Sequence, residues 1–285
     1  MRVTTRNASF QQWQALLTNR AKRQRAGEFL VQGVRPVTLA VERGWNIHTL
    51  LYPERQVLSR WGRELLDRVE ATKVAMAPEL IHELGGKDDE SPEVLAVVEL
   101  PPDRLERIPT SADMLVIVFD RPTTPGNIGT LIRSADAFGA AGVIITGHAA
   151  DPYDPKAVRA STGSLFAVPV VRVDTHREIV DWVATARGSG LAVEIVGTDE
   201  HGDVDIADHD FTGPSLVLVG NETHGLSAAW RGACDRMVRI PMGGAASSLN
   251  AASAGTVALY EVARQRARAG RVTRESQPEP ARQRA

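Results

Sequence analysis

The sequence predicts an α/β protein of two units, a small α/β unit in residues 1–105 and a larger unit in residues 106–270 with a mostly parallel sheet. Short apolar runs alternate with helical patterns along most of the chain, which is typical of βαβ units. The run at 114–119 is apolar throughout, as expected of a strand covered on both faces. Pro101 and Pro102 interrupt the pattern, so residues 103–112 are predicted to link the two units.

In the N-terminal unit, apolar side chains at helical spacing indicate helices and short apolar runs indicate strands. Ser9 is predicted to cap a first helix through Trp13 and Leu16, because its hydroxyl can accept a hydrogen bond from a first-turn amide. Gly44 is predicted to end a helix at 36–43. The remaining helices are predicted at 58–69 and 78–84, and the strands at 29–33, 47–51, 73–76 and 94–100.

The second unit alternates strand and helix more regularly. Its strands are predicted at 114–119, 142–146, 168–173, 191–197, 215–220 and 237–240. Its helices are predicted at 128–138, 156–162, 176–188, 227–233 and 249–268. Residues 271–285 are polar and contain Arg and Pro, so this tail is predicted to be disordered.

The charge balance restricts how the protein could bind nucleic acid. The formal net charge of the 285 residues is -2, so any basic surface must be local. Two basic runs are compatible either with nucleic-acid contacts or with a solvated helix face or tail. They comprise Arg2, Arg6, Arg20, Lys22, Arg23 and Arg25 near the start, and Arg264, Arg266, Arg268, Arg271, Arg274, Arg282 and Arg284 near the end.

Several protein classes are disfavoured by the composition. Cys234 is the only cysteine, which excludes an internal disulfide and fits a reducing compartment. No apolar run is long enough to cross a bilayer and no signal peptide is recognisable, so a cytoplasmic protein is expected. The histidines lack the short spacings of a zinc site, so no metal is expected. His201 and His209 lie among acidic residues that are predicted to form a solvated loop.

Three predicted strands end in loops of small and polar residues, at the edge where open α/β sheets bind ligands. The first loop, 120–129, contains Gly126 and Gly129, which are expected to permit tight turns. The second, 220–227, exposes backbone amides and one carboxylate after an apolar strand. The third, 240–250, carries small side chains that suit close approach by a flat ligand. No phosphate-binding P-loop or dinucleotide-binding glycine motif is present.

From spacing alone, Asn127 could be only a helix cap and Arg133 only a surface cation, and this interpretation is as compatible with the sequence as a functional role for both. In combination, however, the loops carry three motifs: Asn127-x-Gly129 with Arg133, then Gly220-Asn-Glu222, then Ile240-Pro-Met with Ser248-Leu-Asn250. With these motifs the sequence resembles the SpoU (TrmH) family within the SPOUT superfamily of RNA 2′-O-ribose methyltransferases. The segment Gly27-Glu-Phe-Leu-Val-Gln-Gly33 is similar to the substrate-binding domain of that family.

The resemblance implies a SPOUT-type sheet with a C-terminal trefoil knot, a small ribosomal-protein-like RNA-binding domain, a homodimer and S-adenosylmethionine as cofactor. The cofactor-binding residues that it implies are Thr198, Gly220, Asn221, Ile240, Met242, Ser248 and Leu249. The catalytic residues that it implies are Arg133, Asn127, Glu222, Ser248 and Asn250. Ser247 is an alternative to its neighbour, and Val257, Leu259 and Tyr260 are either a dimer contact or ordinary core.

The RNA contacts are expected from a set of basic residues, namely Arg20, Lys22, Arg23, Arg25, Arg133, Lys156 and Arg159. Trp13 could stack on a base or belong to the core. In this family the arginine at the position of Arg133 is proposed to accept the proton of the ribose 2′-hydroxyl. A guanidinium normally keeps its proton, so Arg133 is either a base in an unusual environment or a clamp on an RNA phosphate.

The predicted function is S-adenosylmethionine-dependent methylation of a ribose 2′-hydroxyl, on a single nucleotide of large-subunit ribosomal RNA. A role in antibiotic resistance is a further hypothesis from the resemblance. Transfer RNA is an alternative substrate that the motifs do not separate from ribosomal RNA. A non-catalytic RNA-binding or assembly factor is disfavoured because the motif residues are all present. A small-molecule nucleotide enzyme would leave the basic N-terminal residues without a purpose.

Overall fold

The computed structural model describes residues 1–85 and 92–270, so the predicted tail at 271–285 lies outside the described residues. The strands are β1 (Arg2–Val3), β2 (Glu28–Gln32), β3 (Ile47–Pro53), β4 (Thr72–Met76), β5 (Leu95–Glu99), β6 (Leu115–Asp120), β7 (Gly142–Thr146), β8 (Val170–Val173), β9 (Glu194–Thr198), β10 (Val204–Asp205), β11 (Ser215–Val219) and β12 (Arg236–Arg239). The helices are α1 (Ala8–Thr18), α2 (Arg20–Ala26), α3 (Val34–Glu42), α4 (Arg60–Arg68), α5 (Pro78–Gly85), α6 (Pro125–Ala137), α7 (Pro155–Ala160), α8 (His176–Gly188), α9 (Ala228–Ala233) and α10 (Ala251–Arg268). The α/β class is confirmed.

The N-terminal unit contains a mixed five-stranded sheet in the order β1-β4-β3-β5-β2. Asn7, and not Ser9, caps α1, because its side chain accepts a hydrogen bond from the Phe10 amide at 3.0 Å. Trp13 packs in the core with Phe10, so the stacking alternative for this ring is wrong. The basic segment after α1 forms the separate helix α2, which was not predicted as an element and ends at Gly27 in the left-handed conformation.

The second unit contains a seven-stranded sheet in the order β10-β12-β9-β11-β6-β7-β8, and all of its strand pairs are parallel. The chain runs from β6 outward to β8, and then returns to place β9 and β11 on the other side of β6. This reversal creates a crevice at the carboxyl ends of β6, β11 and β9, which is where open α/β sheets bind ligands. The mostly parallel sheet was predicted and is confirmed.

Several predicted boundaries shift for local reasons. Helix α6 begins at Pro125, three residues earlier than predicted, because a proline is favourable at the first helical position. Gly126 and Gly129 therefore lie inside a helix, and the prediction that they form tight turns is wrong. A β-carbon at Gly129 would lie 2.7 Å from the β-carbon of Ala160, so this glycine permits close packing of α6 on α7. The short strand β10 was not predicted.

The two units share one hydrophobic core. The Phe29 ring of β2 lies 4.9 Å from the Tyr153 ring and 6.2 Å from the Phe166 ring of the second unit, measured between centroids. The Trp45 indole donates a hydrogen bond to the Phe166 carbonyl at 3.1 Å. The predicted linker is packed rather than free, since Arg107 donates to the Val170 carbonyl at 2.9 Å. Among residues 1–85 and 92–270 no helix has the length and apolar character needed to cross a membrane.

Candidate active site

The three loops that follow β6, β11 and β12 meet at the carboxyl edge of the second sheet. The loops after β11 and β12, together with the end of β9 and the start of α10, line a cavity of about 410 Å³, which lies in the size range of small-molecule sites. The loop after β6 does not line this cavity, but its Thr123 holds Glu222 on the cavity wall. The structure places all seven of the predicted cofactor-binding residues on the wall of this cavity: Thr198, Gly220, Asn221, Ile240, Met242, Ser248 and Leu249. Ser247 lies on the wall as well, so the structure does not separate the two serines.

The loop after β11 makes a sharp turn at the cavity wall. The backbones of Asn221 and Gly225 exchange two hydrogen bonds of 3.0 Å. A β-carbon at Gly220 would lie 2.7 Å from the α-carbon of Gly225, and the Gly225 carbonyl carbon is closer still. The Asn221 side chain is used within the fold, because it donates to the Arg121 carbonyl at 2.7 Å and accepts from the Thr223 amide at 2.9 Å. Asn221 can therefore line the cavity but has its side-chain hydrogen bonds already made.

A chain of side-chain hydrogen bonds links the three predicted motifs. The Asn127 amide donates to one oxygen of the Glu222 carboxylate at 3.0 Å, and the Asn250 amide donates to the Asn127 side-chain oxygen at 3.1 Å. The other Glu222 oxygen accepts from the Thr123 amide and hydroxyl, each at 3.1 Å. Three of the five predicted catalytic residues are thus brought into contact from the first turn of α6, the loop after β11 and the start of α10.

The same hydrogen bonds set the charge of Glu222. Burial alone would raise the pKa of this carboxyl, but the hydrogen bonds from Asn127, from its own backbone and from Thr123 together hold the pKa below its usual value. Glu222 is consequently a carboxylate at neutral pH with its acceptor positions occupied. The arrangement suits a brace between loops better than a proton acceptor.

Asp120 and Arg121 organise the site from the end of β6, and neither was predicted to be a site residue. Asp120 is buried, and its carboxylate accepts from the Thr146 hydroxyl at 3.0 Å and from the Ser227 amide at 2.9 Å. Arg121 has a left-handed backbone with a φ of 52°, which is uncommon for a residue other than glycine. Its guanidinium contacts both the Asp120 carboxylate and the Gly225 carbonyl. Both residues could have been recognised from the sequence as candidate site residues, because a charged pair directly follows a fully apolar strand.

Asp199 corrects the prediction of a solvated acidic loop. Its side chain is only 10% exposed, forms an ion pair with Arg231, and lies with Arg231 on the cavity wall. Glu200 also lines the cavity, whereas His201 is exposed. Only part of the acidic segment is therefore a solvated loop. Its first residue fixes the end of β9 to α9 beside the cavity.

The loop at 241–250 is exposed along its whole length. Its Met242 and Leu249 side chains are 38% and 41% exposed although both are apolar, and they face a cavity whose neighbouring wall is Gly220. Exposed apolar side chains beside a narrow glycine turn offer a surface for a flat, partly apolar ligand. Asn250 ends this loop and caps α10, accepting a hydrogen bond from the Ser253 amide at 3.2 Å.

Arg133 is exposed on α6, and it makes no hydrogen bond or ion pair with any residue in the described parts of the chain. It does not line the cavity, so the structure leaves it apart from the predicted catalytic residues that do contact one another. His224 lies on the cavity wall, with its ring next to the Asn221 side chain. In residues 1–85 and 92–270 no group of His, Cys, Asp or Glu is arranged to hold a metal ion.

The predicted RNA-binding residues divide into two groups. Lys22, Arg25, Lys156 and Arg159 are exposed. Arg23 is only 2% exposed and pairs with Asp151, so the prediction that it binds RNA directly is wrong. It was misassigned because its partner lies 128 residues away and gives no local signal. Arg20 is half-buried and donates to the Ala149 carbonyl at 2.8 Å.

Comparison with known proteins identifies the family. Residues 114–260 match the SpoU rRNA methylase family, and residues 7–96 match the SpoU L30e-like domain. The chain belongs to the SpoU rRNA methylase family, as its motifs predicted.

One curated relative and two solved structures cover nearly the whole chain. A 23S rRNA (uridine(2479)-2′-O)-methyltransferase from Streptomyces viridochromogenes is 62% identical over 93% of this chain and 92% of its own length. The crystal structure of the SpoU methyltransferase AviRb from the same organism, in complex with the cofactor AdoMet, covers 92% of this chain and 99% of its own with a TM-score of 0.89 and 62% identity. An AdoMet-bound rRNA methyltransferase from Sinorhizobium meliloti is 30% identical, covers 93% of this chain and 97% of its own, and has a TM-score of 0.83.

Proposed function

We propose that this protein transfers a methyl group from S-adenosylmethionine to a ribose 2′-hydroxyl of large-subunit ribosomal RNA. The observation that carries the proposal is the hydrogen-bonded chain Glu222–Asn127–Asn250, which joins all three family motifs beside one cavity. The function of the relatives, which are 62% and 30% identical over almost the full chain, supports the same substrate class.

The cavity suits the cofactor in size and chemistry. S-adenosylmethionine carries a flat purine, a ribose and a charged amino-acid part. Ile240, Met242 and Leu249 supply apolar surface for the purine, while Gly220 lets the loop after β11 close tightly against Gly225 at the cavity wall. Asp199 and Glu200 supply carboxylates, and Arg231 supplies a cation, on the same wall. When bound, the cofactor supplies an electrophilic methyl group, and the protein has to orient the attacking oxygen and exclude water.

The remaining residues are assigned roles on the substrate. Asn127 and Asn250 lie next to each other and orient the ribose, while Glu222 braces Asn127. Ser248 contributes a hydroxyl at the cavity wall. Arg133 acts either as a base for the 2′-hydroxyl proton, which requires its neutral guanidine form, or as a clamp on the adjacent phosphate. The clamp role suits its guanidinium, which is exposed and uncommitted within the described chain.

The first test is methyl transfer from labelled S-adenosylmethionine to purified ribosomal RNA and transfer RNA, comparing wild type, Arg133→Ala and Arg177→Ala. Arg177 is also an exposed helical arginine, on α8, and serves as the matched control. We expect one alkali-resistant 2′-O-methyl nucleotide in ribosomal RNA, at least about 100-fold slower turnover for Arg133→Ala, and unchanged turnover for Arg177→Ala. Label in transfer RNA alone, or no label in either RNA or in ribosomal particles, would refute the proposal.

Arg133→Lys separates the two roles of this residue. If Arg133 takes the proton, turnover of the lysine variant should rise steeply with pH, because an ammonium loses its proton more readily than a guanidinium. If Arg133 clamps a phosphate, the variant should keep part of its turnover with a flat pH profile and a raised KM for RNA.

Four further properties belong to the same proposal. We propose a division into a substrate-binding domain at 1–105 and a methyltransferase domain at 106–270, and a trefoil knot formed by the loops after β11 and β12. The path of helix α10 supports the proposed knot, because this helix returns from β12, two strands away from β11 in the sheet, to pack on β11, with Gly255 against Val219. We also propose a homodimer, supported by the exposed Val257 and Tyr260 on α10, whereas Leu259 is buried in the core and is not a dimer contact. Finally, we propose a role in resistance to a ribosome-directed antibiotic. Expressing the gene in a sensitive host tests this role, and unchanged susceptibility of the host would contradict it.

A further inference from the structure

Two short cationic helices, one from each unit, lie on either side of a buried ion pair. Helix α2 presents the exposed side chains of Lys22 and Arg25, and helix α7 presents those of Lys156 and Arg159. Arg23, in the same basic run of α2, is instead turned inward and 2% exposed. Arg23 is therefore not part of a solvated helix face, and its burial requires a separate explanation.

The buried arginine is held by both units. Its Nε and Nη2 atoms lie 2.8 and 2.7 Å from the same oxygen of Asp151, and its Nη1 donates to the Leu16 carbonyl of α1 at 2.7 Å. Nη2 is also 3.9 Å from the carboxylate of Asp154. Asp154 caps α7 by accepting from the Lys156 amide at 2.9 Å. One guanidinium therefore connects the start of α7 to α1 and α2.

The loop that carries Asp151 also reaches the candidate active site. The Ala149 carbonyl accepts from Arg20 of α2 at 2.8 Å, and the Ala150 amide donates to the Pro122 carbonyl at 2.8 Å. The residue after Pro122 is Thr123, whose amide and hydroxyl hold the Glu222 carboxylate. A short run of backbone thus connects the cationic helix α2 to the residues at the cavity.

Stability alone does not account for such a pair. Removing two charges from water costs about as much as their attraction returns, and a well-packed apolar pair would often be as stable. What a buried, hydrogen-bonded ion pair does provide is one geometry, because any other arrangement leaves a charge buried without a partner. Here that geometry is the placement of α2 relative to α7.

We propose that Arg23 and Asp151 are positioning residues that hold α2 and α7 as one composite surface for RNA backbone phosphates. The surface consists of Lys22, Arg25, Lys156 and Arg159, and the 147–151 loop sets its position relative to the cofactor cavity. This inference rests on the proposed function, since it takes ribosomal RNA as the ligand. Arg23 acts through the other cations and does not contact the RNA.

The first experiment measures the composite surface without disturbing the core. We measure how the affinity for a ribosomal RNA fragment depends on salt concentration, using a fragment that the wild type methylates. The proteins compared are wild type, K22S/R25S, K156S/R159S and the quadruple variant. Each phosphate contact contributes about 0.7–0.9 to the slope of log affinity against log salt. We expect the slope to fall by about 1.5 in each double variant and by about 3 in the quadruple variant, with S-adenosylmethionine affinity within twofold of wild type.

The second experiment tests the positioning role with R23M, R23K and D151N, and with R60M as the control. Arg60 forms an exposed pair with Glu64 on α4, so R60M should leave the salt slope and turnover unchanged. In R23M and D151N, the slope of log RNA affinity against log salt should fall by about 1.5 and kcat/KM should fall at least about tenfold. Both variants should bind S-adenosylmethionine normally. R23K keeps the charge and should recover part of the slope.

Each outcome decides between the two proposals. If R23M lowers thermal stability but keeps the wild-type salt slope, the pair is merely structural and the inference is wrong. If R23M does not fold, the surface variants decide, and a slope that is insensitive to K156S/R159S overturns the inference. If the wild type methylates ribosomal RNA with a slope unaffected by all four substitutions, only this inference fails. If the wild type methylates no ribosomal RNA, the proposed function fails.

Discussion

The substitution Gly220→Ala tests the cavity wall with the least chemical change. A β-carbon at Gly220 would lie 2.7 Å from the Gly225 α-carbon, whereas ordinary contacts of such carbons begin at 3.4 Å. The two backbone segments must therefore separate by about 1 Å, since the Gly225 carbonyl carbon is closer still. The Asn221–Gly225 hydrogen bonds, both 3.0 Å long, do not survive that separation. The expected effect is a cavity wall that opens at this turn.

The size of the effect follows from those two bonds. Each contributes about 0.5–1.5 kcal/mol net, so restoring the loop on binding costs about 1–3 kcal/mol in all. That corresponds to about 5- to 150-fold weaker binding of S-adenosylmethionine. Gly232→Ala is the matched control, because Gly232 lies in α9 with no atom within 4 Å of its added β-carbon. It should bind the cofactor normally and gain about 0.5–1 kcal/mol in stability. Isothermal titration calorimetry and thermal unfolding measure both quantities. Binding by Gly220→Ala within twofold of wild type would refute the reasoning.

Three other predictions concern ionisation and assembly. Glu222 has a folded pKa below its ordinary value, so its carboxylate stabilises the protein above about pH 4.5, and this contribution is lost as the pH falls through the folded pKa. The difference in unfolding free energy between wild type and E222Q, from urea titrations, should therefore shrink from pH 7 to pH 3.5, and a constant difference would contradict it. Burial raises the pKa of the Cys234 thiol to about 11, so alkylation at pH 8 should be roughly 100-fold slower than that of free cysteine. A rate near that of free cysteine would show an accessible thiolate. Tyr260 is 54% exposed on α10, and Y260D should convert the proposed dimer to a monomer in light scattering. A monomeric wild type would remove the basis of this prediction.

The loops of the site could be predicted because their signal is local. A run of apolar residues followed by Gly, Asn and Glu, as at Gly220, indicates a strand that ends in an exposed turn whatever the rest of the chain does. Parallel pairing then brings the ends of β6, β11 and β12 to one edge of the sheet. The sequence therefore predicted which loops meet, and the structure adds which atoms touch.

What could not be predicted depends on partners far along the chain. Arg23 and Arg25 are two residues apart in one basic run, yet only the first finds a carboxylate 128 residues away. Asp199 likewise belongs to an acidic run, and its pairing with Arg231 across 32 residues is what places it on the cavity wall. Charge patterning describes a run as a whole, while burial is decided one side chain at a time by the tertiary fold.

Asn250 shows why the site and the C-terminal part of the fold form together. Its side-chain oxygen accepts from the Ser253 amide and so caps α10, while its side-chain nitrogen donates to Asn127 on α6. Helix α10 in turn packs on α6, where the Thr256 and Ser134 hydroxyls lie 2.7 Å apart. The residue that starts α10 is therefore aligned by the same helix against which α10 packs. Because Asn127 also holds Glu222, displacement of α10 would disturb the loop after β11 as well. A ligand that orders the 240–250 loop must consequently stabilise α6, α10 and the β11 loop at the same time, since one hydrogen-bonded chain connects all three.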